Sequence, residues 1–253
     1  YDGLIEKPMS VLDYTHFLLF FPALSSGPID RSRRFMDDWR KQRSRAEYLE
    51  LAGTGIFRLV LGLFYKLVLS AMVFQHMSML NPGDSWYLLI YMYYYTAYLF
   101  FDFAGYSLMA VGASNILGID TPMNFNFPFI SIDIKDFWNR WHITLSTWLR
   151  DFVFSRVVMR FMRKKVFKKR LTTAMVAYMI NMTFMGFWHG VTLPYIVYGV
   201  YHGVLMALFE WYQKKSKFYK KNKNKTWYQV TSWFITMHLV MFGFLIFSGR
   251  MFG

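Results

Sequence analysis

Leu51-AGTGIFRLVLGLFYKLVLSAMVFQ-His76 is a predominantly apolar run that decides the fold class of this chain. A helix needs about 20 mainly apolar residues to cross a bilayer, and this stretch is long enough to do so. Three neighbours in sequence repeat the pattern: Ser85–Met109, Thr192–Trp211 and Thr226–Phe247. Thr172–Trp188 is a fifth candidate near the lower length limit, and Val11–Leu24 is too short to span by itself, so a re-entrant segment is an open reading there. The expectation is an all-α, polytopic integral membrane protein.

Composition agrees with that reading. Mean hydropathy is only +0.21 because the apolar runs are averaged with dense basic clusters. Aromatic residues make up 21% of the chain, and Trp and Tyr favour membrane interfaces. The net charge of +14 raises the question of nucleic acid, and the placement of the cations answers it. Seven lie between Arg31 and Arg45, eight between Arg156 and Arg170, and seven between Lys214 and Lys225, each group beside an apolar segment. Juxtamembrane charge explains them, and no nucleic-acid module accompanies them. The absence of cysteine excludes a disulfide framework, a thiolate metal site and an acyl-cysteine intermediate within these residues. The chain opens at Tyr1 without a signal-peptide pattern. The expectation is therefore a single membrane-embedded domain, 1–253, whose N-terminal spans are missing from this sequence.

If the basic clusters are cytoplasmic, the K/R-poor turns around Asn81–Asp84 and Gly190–Leu193 fall on the opposite face, and five segments obey one charge rule. Ile132–Phe154 differs, because polar and apolar residues alternate at helical spacing. On a helical projection Trp138, Trp141, Leu145, Trp148, Leu149 and Phe152 share one face, with Arg140, Thr144, Thr147 and Asp151 opposite. This predicts an amphipathic helix that lies in the plane of the interface or inside a polar cavity, with His142 near the edge of its aromatic face. The preceding Thr121-PMNFNF-Pro128 predicts a structured loop, since two prolines and two asparagines oppose a continuous helix.

Ionisable residues at membrane depth are costly and are candidates for function. His189 lies in Gly186-Phe-Trp-His-Gly190, where flanking glycines permit close backbone approach or a sharp helix exit. A neutral imidazole there could take a proton from an attacking hydroxyl, or it could be a structural histidine bonded to a neighbouring helix. His142 could orient a reactant, polarise an oxyanion or fix the tautomer of His189, or it could be an interfacial residue of the amphipathic helix. Asp102 needs a partner if buried, and a structural hydrogen bond is the simpler role. His202 and His238 read as structural, while His16, His76 and Glu210 suit interfaces. No compact metal constellation appears, Gly53-Thr-Gly55 lacks the setting of a nucleotide loop, and no serine sits in a nucleophile elbow.

Four stretches carry a resemblance. They are Pro122-Met-Asn-Phe-Asn126, Asp136-Phe-Trp-Asn-Arg-Trp-His-Ile-Thr-Leu-Ser-Thr-Trp-Leu-Arg-Asp151, and Gly186-Phe-Trp-His-Gly190, with Phe21-Pro-Ala-Leu-Ser-Ser-Gly-Pro-Ile29 nearer the start. The chain resembles the membrane-bound O-acyltransferase (MBOAT) family from about Asp13 onward, most nearly its teichoic-acid D-alanylation branch, with the alginate O-acetyltransferase branch next. The resemblance implies a central catalytic pore, His189 as the essential catalytic histidine and His142 as a second active-site histidine. Their neighbours Trp141, Trp188 and Asn139 are taken as substrate-binding. Phe127 stands where many relatives carry arginine, so no phosphate-binding role is assigned to that loop.

The resemblance further implies that D-alanine arrives as a phosphopantetheine thioester on a D-alanyl carrier protein, with no permanently bound cofactor and no metal. It leaves toward lipoteichoic acid or an intermediate acceptor across the cell membrane, alongside other teichoic acid D-alanylation proteins and membrane lipids, without nucleic acid. Polysaccharide O-acetylation is the alternative chemistry. A transporter or scaffold is the alternative without chemistry.

Overall fold

The computed structural model describes residues 9–24 and 26–252, which contain helices and no strand. In chain order the α-helices are α1 (Val11–Leu18), α2 (Ser32–Trp39), α3 (Arg45–Leu63), α4 (Ser70–Ser78), α5 (Tyr87–Ile116), α6 (Ile134–Trp138), α7 (Ile143–Leu149), α8 (Ser155–Arg163), α9 (Arg170–His189), α10 (Leu193–Lys215), α11 (Lys217–Asn222) and α12 (Thr226–Phe247). Among the described residues three helical runs are long and apolar enough to cross a membrane: Arg45–Ser78, Leu193–Lys215 and Thr226–Phe247. The other two expected spans are helical as well, as α5 and α9. Val11–Leu24 forms α1 and a 3₁₀ turn at Phe21–Ala23. Thr121–Phe127 is a loop, as its prolines and asparagines require.

The chain folds as two compact units, one built from residues 1–72 and 98–124, the other from 73–97 and 125–253. In the first, α3 starts with a capping box. Ser44 Oγ accepts from the Glu47 amide at 3.3 Å, and Glu47 Oε2 accepts from the Ser44 amide at 2.8 Å, which satisfies two donors at the helix start. α3 runs against α5 through paired glycines. A Cβ on Gly55 would lie 2.7 Å from the Gly112 carbonyl oxygen, and one on Gly62 would lie 2.6 Å from that of Gly105. The seven-residue spacing puts both glycines of each helix on one face, where small residues let backbones touch. Gly55, unsuited to a nucleotide loop, thus has a packing use.

Polar groups line the same seam. Arg58 Nη1 donates to Asn115 Oδ1 at 2.6 Å, and Lys66 forms an ion pair with Asp102. Asp102 therefore has the structural partner its position demands. Lys66 lies in a π-helical segment, Phe64–Leu69, that joins α3 to α4. A small apolar core of Phe35, Met36 and Ile119 closes the unit, with Phe17 and Phe20 packed on it.

In the second unit, α9 and α10 form an antiparallel hairpin. Gly186 and Gly199 face each other across it, so that a Cβ on Gly199 would fall 3.0 Å from Gly186 Cα. α12 packs on α10 and also fastens the loop before α6: Trp233 Nε1 donates to the Phe129 carbonyl at 2.7 Å, and Ser232 Oγ to that of Ile132 at 2.6 Å.

The in-plane helix requires a correction. Ile132–Phe154 is not one continuous helix: α6 ends at Trp138, Asn139–His142 break the run, and α7 begins at Ile143. The break shifts the helical phase, so Thr144, expected on the polar face, is buried, whereas Phe152 is exposed. Trp138, Trp141, Leu145 and Leu149 are buried as their face predicted. Beyond Leu149 the chain continues through a π-helical segment, Arg150–Phe154, into α8.

Candidate active site

His142 sits at the break, in the left-handed region at φ +45°, and its carbonyl accepts the first hydrogen bond of α7 from Ser146 N at 2.9 Å. Left-handed geometry is uncommon for residues other than glycine and costs on the order of 1–3 kcal/mol, which the surrounding structure must over-determine. Local bonds hold the bend. Arg140 Nε donates to Asp136 Oδ1 at 2.7 Å, and the Asn126 amide donates to the Arg140 carbonyl at 3.0 Å, which ties the Asn-Phe-Asn loop to the turn. The imidazole of His142 is buried.

His189 is the last residue of α9. The next residue, Gly190, adopts φ +157° and ψ +160°, a backbone state that essentially only glycine enters, and a Cβ there would lie 2.9 Å from the Tyr195 ring. The glycine lets the chain leave the helix sharply and return as α10, which leaves the His189 imidazole at the helix end, half-buried. Its ring is surrounded by Trp188 at 4.9 Å, Phe247 at 5.0 Å, Tyr195 at 6.1 Å and Tyr198 at 6.2 Å between centroids.

Trp188 brings the two histidines together. Its ring lies edge-on to His142 at 6.1 Å and to His189 at 4.9 Å. Of the other residues named from sequence, Trp141 is enclosed by Phe125, Phe137 and Phe244, the nearest ring at 4.8 Å. Asn139 is exposed and lines a cavity of about 290 Å³, together with Lys135, Ser146, Tyr178, Asn181 and Met185. Asn181, Met185 and His189 follow at intervals of four on α9, so they share one face. The cavity wall and the histidine are thus successive positions along one helix, with about 12 Å of rise from Asn181 to His189. Lys135 pairs with Glu210 and donates to Gln213 Oε1 at 2.7 Å beside that cavity.

His202 stands in Tyr201-His-Gly203, a short echo of Trp188-His-Gly190. It is fully buried, with both ring nitrogens lacking hydrogen-bond partners, and it packs edge-on against Tyr198 at 4.6 Å and Trp138 at 5.2 Å. Tyr198 touches both His189 and His202, so an unbroken series of rings joins the two. His238 Nδ1 donates to the Phe234 carbonyl at 2.8 Å, and its Nε2 is bonded to Tyr93 Oη at 2.9 Å, which suits a structural role.

A sequence profile of the membrane-bound O-acyltransferase family matches residues 4–251. The chain belongs to the membrane-bound O-acyltransferase family. Among curated proteins, the teichoic acid D-alanyltransferase of Bacillus subtilis is 45% identical over 255 residues, covering 99% of this chain and 65% of that protein. The corresponding protein of Streptococcus thermophilus is 44% identical, covering 98% of this chain and 64% of the relative. The probable alginate O-acetylase AlgI of Pseudomonas fluorescens is 34% identical, covering the whole chain and 50% of the relative. The chain thus spans just under two thirds of the length of the D-alanyltransferases it matches.

Proposed function

We propose that this chain carries the catalytic histidines of a membrane D-alanyltransferase that takes D-alanine from a carrier-protein phosphopantetheine thioester and delivers it toward teichoic acid. The observation that carries the reading is the His142–Trp188–His189 cluster, set at the end of the α9 face that also walls the cavity. Identity of 45% to a D-alanyltransferase, against 34% to an alginate O-acetylase, favours D-alanyl over acetyl transfer.

In this mechanism the arm lies along the Asn181–Met185 wall and presents its thioester carbonyl near His189. His189 takes the proton of the acceptor hydroxyl as that oxygen attacks the carbonyl carbon. The C–O bond forms, the C–S bond breaks, and the leaving sulfur recovers the proton as the thiol. His142, held in its left-handed turn, orients His189 or polarises the carbonyl oxygen. The rings of Trp188, Tyr195, Tyr198 and Phe247 surround His189 and shield it in part from bulk water, which would otherwise hydrolyse the thioester. The basic segment Arg156–Arg170 attracts an acidic carrier protein, an attraction that added salt screens as the Debye length falls from about 10 Å at 0.1 M to about 3 Å at 1 M.

The test uses reconstituted full-length protein supplied with labelled D-alanyl carrier or with acetyl-CoA. Transfer from the carrier, weakened by salt and reduced about 10²–10⁴-fold by His189→Ala, is the expected result. Transfer from acetyl-CoA alone would assign the chain to O-acetylation, and normal turnover by a folded His189→Ala protein would remove histidine catalysis.

A further inference from the structure

We infer that the basic end of the α10–α12 bundle is a binding site for one anionic glycerophospholipid, with an acyl chain in an apolar groove and its phosphate among lysines. The groove has a volume of about 440 Å³, and its walls include Leu205, Leu208 and Phe209 of α10, Phe218 of α11, and Trp227 and Leu239 of α12. It falls within the size range of small-ligand sites but is almost purely apolar, which suits a hydrocarbon chain and not a polar metabolite. The hydroxyls that border it are already engaged: Ser232 and Thr236 donate to the Ile132 carbonyl, and Tyr228 Oη bonds Tyr212 Oη at 3.3 Å.

The dimensions select a lipid. From Trp227 to Leu239 the α12 wall rises about 18 Å at 1.5 Å per residue, close to the ~15 Å hydrocarbon depth of one leaflet. One end is marked as an interface by packed aromatics, with Phe218 and Trp227 rings 6.1 Å apart and Tyr212 and Tyr219 rings 5.4 Å apart.

Charge selects an anionic headgroup. Lys217 and Lys221 stand on the short helix that supplies Phe218, and Lys225 caps the helix that supplies Trp227. The seven lysines between Lys214 and Lys225 are exposed, and among the described residues none is ion-paired. The sequence from 211 to 253 contains no Asp or Glu. The Arg31–Arg45 segment differs, because Arg34, Arg40 and Arg43 there are matched by Asp30, Asp13 and Asp38. Each lysine near a membrane surface favours anionic lipid by about 1 kcal/mol, or about fivefold.

The experiment places full-length protein in nanodiscs containing phosphatidylcholine with increasing phosphatidylglycerol, either lipid bearing brominated acyl chains that quench tryptophan on contact. The quenched signal of Trp227 is isolated by difference from Trp227→Phe. Brominated phosphatidylglycerol should quench Trp227 at a mole fraction at least about fivefold lower than brominated phosphatidylcholine. Lys217→Gln/Lys221→Gln/Lys225→Gln should abolish that preference without unfolding the protein, since these side chains are exposed. Leu208→Phe, which fills the groove, should lower quenching by both lipids. Equal quenching by the two lipids would overturn the anionic site, as would a preference that survives the lysine substitutions. Complete relief of quenching by inorganic phosphate would show a free anion site in place of a lipid site. Absence of quenching by either lipid would show that another protein segment fills the groove. The readout is lipid contact, so it stands apart from whether the chain transfers D-alanine.

Discussion

At the scale of single residues, His142 combines two demands that can be separated. Its backbone occupies the left-handed region at φ +45°, and its ring lies against Trp188. Asparagine tolerates that backbone better than most residues but carries no imidazole. His142→Asn should therefore keep near-normal thermal stability in detergent while lowering turnover about 10²-fold or more, whereas His142→Ala should lose both. Recovery of turnover in His142→Asn would assign His142 to the bend alone. Gly190 is a purely conformational case: Gly190→Ala must hold φ +157° and clear the Tyr195 ring, so it should lower stability by on the order of 1–3 kcal/mol and displace His189. Thermal unfolding and turnover of that variant check the two consequences. Both histidines were legible in the sequence as candidates because Trp-His-Gly and Arg-Trp-His are local motifs. His202 was not, because its burial among Tyr198, Trp138 and Gly243 depends on three separate stretches of chain.

At the scale of elements, apolar periodicity placed the helices well and broke down where the backbone leaves regular geometry. α12 begins and ends at the residues expected, Thr226 and Phe247, because a basic loop and a closing turn bound its apolar run. The break between α6 and α7 has no marker in the sequence. Asp136–Asp151 contains no glycine or proline to signal it, and the turn is imposed by bonds from Arg140 and Asn126. The π-helical segment at Phe64–Leu69 is equally silent in sequence. It carries Lys66, whose ion pair with Asp102 joins α3–α4 to α5 at membrane depth. Removing one partner leaves an uncompensated charge in a poorly solvated place, which costs more than replacing both by apolar groups. Lys66→Met and Asp102→Leu should each destabilise the protein more than the double variant does. A double-mutant cycle on thermal stability should give a coupling within about 0.5–3 kcal/mol, and strictly additive losses would show that the pair contributes nothing.

At the scale of the whole molecule, the distribution of charge makes a claim about orientation. We expect the basic segments 31–45, 156–170 and 214–225 on the cytoplasmic side, since short loops rich in Lys and Arg are retained there. The helices between them alternate as that requires: the run Arg45–Ser78 leads to a turn at 79–86 that lacks Lys and Arg, and α9 leads from a basic segment to the Gly190 turn. The same arrangement would let a cytoplasmic carrier reach α8 while His189 lies at the far end of α9, twenty residues and about 30 Å of helix from Arg170. Because these 253 residues contain no cysteine, single cysteines can report on each face. The structure guides the choice of positions. Ser44 and Ser216 cap helices and Asn81 Oδ1 accepts from the Gly83 amide, so replacing them would disturb local structure. Gln42, Asn224 and Ser85 are exposed alternatives in the same segments. In intact cells an impermeant maleimide should label Ser85→Cys and leave Gln42→Cys and Asn224→Cys unlabelled until the membrane is opened. Labelling of both basic positions from outside would invert the topology and put the Arg156–Arg170 surface out of reach of a cytoplasmic carrier.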